Sequence, residues 1–272
     1  MLHEIWLQPG SDGLWRHRAL GWWQRRSVDA WTGSGWQPQV VHTQARLHET
    51  RLRRRGVSAH LLPLCSAFAS PSATPAEARA AVAAKLRAAA GSDRPVDDTA
   101  LWIGHFGTLH LEGWNFPGFV SKMAGLAAAS GKRICFLALG RARTAAAAWA
   151  EAARMVPSAD FRIIGELPPE KVPLIMQACD AAITSTPWDI IEKSSAVAAW
   201  RAVGVPVLVT RAGLTHTKPL PPWPDPGLRL ADGPSLALPR PFERIPGPDF
   251  LTSAQTARAF LSDLSAIPSV SA

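Results

Sequence analysis

The sequence predicts an α/β protein whose main sheet is parallel and doubly wound. Two patterns predict it. From residue 99 to residue 211, five short apolar runs alternate with four stretches of helical spacing, and the runs are apolar at most positions, as strands buried on both faces must be. Shorter versions of the same alternation occupy roughly the first 65 residues, so the chain reads as two α/β units joined by a segment rich in Ala, Pro, Ser and Asp.

In the first unit, residues 2–7 read as a strand, 14–31 as a helix and 39–42 as a strand. A helix over 45–55, closed by Gly56, and a strand over 59–64 follow. The segment 69–98 reads as a linker or crossover carrying one helix at 75–90. Strands are then predicted at 100–106, 133–139, 160–164, 181–184 and 205–210, with helices at 115–130, 143–155, 170–178 and 189–203 between them. Right-handed crossovers make such a series a parallel sheet. Pro187 is expected to open the last of these helices, where its missing N–H costs nothing, and Gly204 and Pro206 to stop it. Beyond Arg211 the alternation fails. Ten prolines between Pro219 and Pro248 predict an extended surface arm, followed by a helix over 252–264. The boundaries are therefore 1–68, 69–98, 99–215 and 216–272.

At 272 residues the chain can bury most of its apolar surface without staples. Cys65, Cys135 and Cys179 are odd in number, far apart and set in apolar runs, which argues for reduced core thiols and against a disulfide framework or a metal site. His3 and Glu4 interrupt the first apolar run, and no window of about 20 residues is free of charge and breaks, so a cytoplasmic chain without a membrane span is expected. The net charge of +8 is uneven: residues 1–55 hold nine arginines against four acidic residues, and six of the twelve tryptophans. Three readings stand. The tryptophans pack inward beneath a solvated Arg face, or residues 14–55 lie peripherally on an anionic membrane surface, or the segment binds nucleic acid. No nucleic-acid motif supports the last, and no nucleic-acid partner is expected.

Ligands of open parallel sheets bind outside the carboxyl ends of the strands, where helix N-termini offer free N–H groups. Four segments fall there. Gly104, His105, Phe106, Gly107 and Thr108 would let backbone approach a phosphate, and Arg141 beside Arg143 would clamp a diphosphate. Glu166 and Leu167 would receive a flat base, and Asp189, Lys193, Ser194 and Ser195 would sit at a helix-start rim. Each also fits an ordinary turn, cap or solvated side chain. GHFGTLH departs from GxGxxG and Arg141 stands where a dinucleotide site wants an acid, so NAD is disfavoured. No GxxxxGK[ST], GxSxG or HExxH occurs, which argues against a P-loop, a serine elbow and a zinc site.

The blocks MLHEIWL, VVHTQARLHETRLRRRGVSAHLLPLCS, WIGHFGTLH and GELPPEKVPLIMQACDAAITSTPWDIIEKSSAVAAWRAVGVPVLVT together resemble bacterial glycosyltransferases of the GT-B type, near the large family 4 group. The resemblance covers residues 1–211. It implies a GT-B-like arrangement, with a Rossmann-like C-terminal domain that holds a nucleotide-sugar donor and a partial N-terminal α/β domain on the acceptor side. Carried over by position, Gly104, Phe106, Gly107 and Thr108 would face the donor diphosphate, Arg141 would stabilise the leaving phosphate, and Glu166 and Leu167 would lie beside the base. Asp189, Lys193, Ser194 and Ser195 would hold the donor sugar and phosphates, and His3 would reach toward the sugar. The resemblance implies metal-independent transfer from a UDP- or GDP-linked sugar to a glycan or lipid-linked acceptor, with no resident cofactor, in the cytoplasm or peripherally at the inner membrane face.

Two departures accompany it. The family motif places two glutamates eight positions apart, whereas here Asp189 is followed by Val197, with Glu192 out of step. The first unit is also short, which leads to the expectation of an N-terminally truncated transferase. A non-catalytic nucleotide-sugar-binding or membrane-surface scaffold module is the alternative.

Overall fold

The computed structural model describes residues 15–33, 40–62, 64–68, 71–88, 97, 99–111, 114–141, 146–213, 225–231, 244 and 253–266. The strand expected at 2–7 lies outside them.

The first unit is small. Helix α1 (Trp15–Gly33) packs through Val28 on Leu52 of α2 (Arg46–Arg53), with Val41, Val57 and Ala59 closing a minor core. Arg55 adds an ion pair to Asp29 of α1. Two-residue strands β1 (His42–Thr43) and β2 (His60–Leu61) pair in parallel. Gly56, at φ +75°, ends α2 as the sequence predicts.

Helix α3 (Pro75–Ala88) opens with Pro75 in the first turn, after a reciprocal cap in which Thr74 N–H donates to Glu77 Oε2 (2.7 Å) and Glu77 N–H to Thr74 Oγ1 (3.3 Å). Although it falls in the segment read as a linker or crossover, α3 belongs to the main layer. Ala78, Val82 and Ala83 sit in the core of the large sheet.

That sheet has six parallel strands: β3 (Leu101–Phe106), β4 (Ile134–Leu139), β5 (Ala159–Gly165), β6 (Ala181–Thr184), β7 (Val207–Val209) and β8 (Leu228–Leu230). Their order is β5-β4-β3-β6-β7-β8. Relabelled from the first strand of the sheet this is 3-2-1-4-5-6, the doubly wound order of a Rossmann-like domain. One face packs against α4 (Phe116–Ala129) and α5 (Ala146–Met155) around Phe116, Phe136, Trp149 and Phe161. The other packs against α3, α6 (Val172–Ala178) and α7 (Ser195–Ala202) around Trp102, Met176 and Trp200.

Three expectations are corrected. The helix foreseen at 189–203 is broken: Pro187 precedes a 3₁₀ segment, Trp188–Lys193, and Ser194 leaves helical geometry (φ −87°, ψ 105°) before α7 begins. The proline-rich arm contains β8, whose Leu228, Arg229 and Leu230 pair with Val207, Leu208 and Val209. A buried ion pair holds that strand, with Arg201 of α7 gripping Asp225 through Nε (2.7 Å) and Nη2 (2.8 Å). Trp15, Trp22 and Trp23 of α1 do not pack inward, for all three are exposed. A last helix, α8 (Ser253–Ser265), returns to the first unit, where Asp263 lies 2.8 Å from His42 Nε2 and 3.5 Å from His60 Nδ1.

Candidate functional site

Chain connections reverse between β3 and β6, since β3 leads to α4 on one face and β6 to α7 on the other. The crevice at their carboxyl ends is where such a sheet takes a ligand. The loops that rim it are built by glycine. Gly107, Gly140 and Gly165 end β3, β4 and β5 at φ +88°, +79° and +79°, a region in which a Cβ is strained. Their turns are cross-tied, with Gly107 N–H donating to Leu139 O (3.0 Å) and Gly140 N–H to Gly165 O (2.7 Å). Across the crevice, His110 N–H donates to Ser185 Oγ (2.9 Å), joining the loop after β3 to the loop after β6.

The rim carries several of the residues foreseen from sequence. Thr108 is exposed beside Gly107. Arg141 and Glu166 leave adjacent strand ends and pair with each other, Nε to Oε1 at 2.7 Å, both largely in solvent. A surface pair of this kind is worth little, so a charged ligand could take Arg141 at small cost. Leu167 instead packs against the core beneath the rim. From β5 to β6 these strand ends span roughly 15 Å at ~4.8 Å per strand, comparable to an extended nucleoside diphosphate.

Gly104 and Phe106 do not belong to the loop. Both lie in β3. A Cβ on Gly104 would come within 2.8 Å of Trp200 Cζ2 and 2.9 Å of Cys179 Sγ, so this glycine lets α7 close onto the sheet. Phe106 packs edge-on against Phe68 at 5.7 Å. His105 between them is 2% exposed, with Nδ1 buried and unpartnered. Burial pushes His105 down to about 4, against a hydrogen bond to the Thr108 backbone and with His110 adding to the effect.

The remaining predicted residues form a second group, facing the first unit. Helix α2 starts after Ala45, which cannot cap it. Glu192 supplies the cap from the 3₁₀ segment, accepting Arg46 N–H at Oε2 (2.7 Å), with Arg46 Nε 3.4 Å from Oε1. Glu192, out of step in the family motif, thus has a defined partner. Burial raises its pKa, with the Arg46 N–H and charge opposing and Glu49 adding. Lys193 lies near His48 of α2, which burial, then Lys193, then Arg51 hold at about 4. Burial also pushes the Arg51 guanidinium below its ordinary value, opposed by the nearby Asp189 carboxylate. Ser194 spends its hydroxyl as the cap of α7, accepting Val197 N–H at 3.3 Å, while Ser195 is exposed. His3 lies outside the described residues.

The structure therefore splits the predicted constellation. Gly107, Thr108, Arg141 and Glu166 meet at the strand ends, while Asp189, Lys193 and Ser194 are engaged with α2 and α7. Ser185, His48 and Arg51 join these groups and were missed as site residues, and His105, foreseen as part of the loop, lies buried in β3. Ser185 was legible as one hydroxyl of the Thr184–Thr186 turn, but nothing in the sequence pairs α2 with the 3₁₀ segment. Burial raises the Cys135 thiol to about 12 and pushes Cys179 higher still, so neither is a nucleophile. Among the described residues, no group of three or more His, Cys, Asp or Glu is placed to hold a metal ion.

No protein-family model matches the chain, and no curated protein matches it. Among solved structures, Anabaena Alr3699/HepE in complex with UDP and glucose is similar at 15% identity and TM-score 0.43, over 78% of this chain and 52% of that one. A glycosyltransferase from Rickettsia africae ESF-5 is similar at 12% identity and TM-score 0.42, over 70% and 49%. WaaG, a glycosyltransferase involved in lipopolysaccharide biosynthesis, is similar at 13% identity and TM-score 0.41, over 64% and 44%. The chain spans about half the length of these proteins.

Proposed function

We propose that the chain is the donor-side part of a metal-independent glycosyltransferase that takes a UDP- or GDP-linked sugar and transfers it to a glycan or lipid-linked hydroxyl. The observation that carries this reading is the β3/β6 switch-point crevice, rimmed by three left-handed glycine turns and the Arg141–Glu166 pair. Backbone N–H groups near Gly107 and the Arg141 guanidinium suit the diphosphate, and release of Arg141 leaves Glu166 for the base or ribose. In the transfer, the bond from the anomeric carbon to the phosphate oxygen breaks and a bond to the acceptor oxygen forms. Negative charge grows on the departing diphosphate, where cationic side chains lower the barrier in the absence of a metal. The acceptor proton passes to a base on the acceptor side, where the family resemblance has His3 reach toward the sugar.

One observation favours a second reading, a binding or scaffold module without turnover. Asp189 and Lys193 face α2, and the Ser194 hydroxyl already caps α7, so the segment that should hold the sugar has its polar groups committed. A single experiment separates the two. The full chain is incubated with UDP- and GDP-sugars, and both melting temperature and nucleotide release are followed. Saturation at about 100 times Kd stabilises by about 2.7 kcal/mol, or roughly 5–10 °C for a chain of this size. A shift with nucleotide release that Arg141→Ala abolishes supports the transferase; a shift without release supports the module. Absence of any shift with either nucleotide refutes both.

A further inference from the structure

Among the described side chains of helix α1, the buried positions, Gly21 and Val28, fall on one side, and Val28 seats on Leu52. Trp15, Trp22 and Arg26 follow one another at spacings of seven and four residues, which stacks them along one line of the helix, about 120–160° around from Val28 at ~100° per residue. That outward line is where an amphipathic helix of a globular protein carries its polar side chains. Here Trp15 is 78% exposed, Trp22 55% and Trp23 62%, with Leu20 also exposed one turn before Trp23. The Arg26 guanidinium lies over the Trp22 ring, 5.4 Å from its centroid, and Arg25 is exposed on the same helix. Three bare indoles cost too much in water to be an incidental surface.

We infer that α1 is a docking helix for an anionic lipid bilayer, lying in the plane of the headgroups with Trp15, Trp22 and Trp23 at the boundary with the acyl chains. Indoles favour this depth because an apolar ring and a polar N–H can each meet their own environment there. Arg25 and Arg26 match the negative headgroups, and the chain's net charge of +8 works in the same direction. The interleaving of cation and indole fits a flat, negatively charged, partly apolar surface. A duplex nucleic acid would use the cations but leave the indoles in water. No described helix is long and apolar enough to cross a membrane, so the contact is peripheral. The inference is independent of the transfer chemistry and stands or falls without a nucleotide present.

Flotation of the full chain with vesicles tests it. Vesicles of phosphatidylcholine mixed with phosphatidylglycerol are expected to carry the protein upward, and pure phosphatidylcholine to carry far less, with binding weakened by added salt. Arg25→Glu with Arg26→Glu, and separately Trp22→Ser with Trp23→Ser, are each expected to weaken binding by ~10-fold or more. Far-UV circular dichroism confirms that both variants keep their helices. Failure to float with the anionic vesicles overturns the inference, as does flotation that neither variant reduces. Loss of flotation in Leu261→Ser with Leu264→Ser but in neither α1 variant overturns it in favour of the exposed face of α8. Concentration-dependent dimerisation that the Trp variant abolishes, without flotation of the parent protein, assigns the face to a second copy and overturns it as well.

Discussion

Replacing Asp225 by alanine removes the carboxylate that Arg201 grips at 2.7 Å and 2.8 Å and that also accepts the Gly227 N–H at 2.8 Å. The Arg201 side chain has no exposed surface, so its charge cannot turn to water. Nη1 keeps the Val205 carbonyl at 3.1 Å, which offsets only part of the loss. Removing one member of a buried ion pair costs about 3–5 kcal/mol, against a total stability of about 5–15 kcal/mol. At ~2–4 °C per kcal/mol for a chain of this size, the melting temperature of Asp225→Ala should fall by roughly 10 °C. Calorimetry measures that fall, and hydrogen exchange locates it: amides of Leu228–Leu230 should lose protection first, because Asp225 and Gly227 lead directly into that strand. The double variant Arg201→Met, Asp225→Leu should recover at least half of the loss, since it removes the stranded charge. A single variant that costs less than ~1 kcal/mol, or a double variant that melts no higher than the single, refutes this account of how β8 is held.

Three further outcomes are expected. Gly104→Ala should lower the melting temperature by several degrees, because its methyl meets Trp200 and Cys179, both buried against the sheet; an unchanged melt would show that α7 can shift. Ser194→Ala should cost about 1 kcal/mol through loss of the α7 cap, and Ser194→Asp should restore it, as denaturant titration would reveal. His48 and His105 titrate at about 4 in the folded chain against an ordinary 6.5, so between those values the unfolded chain binds more protons. The stability they contribute is complete above pH 6.5 and is lost as pH falls through about 4, on the order of 3 kcal/mol for the more deeply buried His105. Melts recorded across that window should flatten in His48→Phe with His105→Phe; an equally steep decline would assign the acid lability elsewhere.

The main sheet was legible because parallel strands buried on both faces leave continuous apolar runs, and 181–184 matches its strand residue for residue. β8 was not, since Leu228–Leu230 is three residues set among prolines and its pairing depends on an ion pair with Arg201. The strand expected at 100–106 matches β3, but the loop read over 104–108 overlapped its end, and Gly104, His105 and Phe106 belong to the strand. The α1 tryptophans were open to three readings because periodicity shows which residues share a face but not which face is inward. That depended on Val28 meeting Leu52. Helical spacing likewise concealed the break at Ser194, although a serine three residues before an apolar helix position is itself a cap signal.

The first turn of α2 is completed by a residue 146 positions away. Its order is therefore conditional rather than intrinsic: Ala45 offers no local substitute, so the helix start and the position of the 3₁₀ segment are one coupled variable. Any ligand that draws Trp188–Lys193 toward the strand ends must release Glu192 from Arg46 and fray that turn, and whatever straightens α2 holds the segment back. The coupling is bounded by the worth of a single cap, about 1 kcal/mol, which makes it a bias between two positions and not a lock.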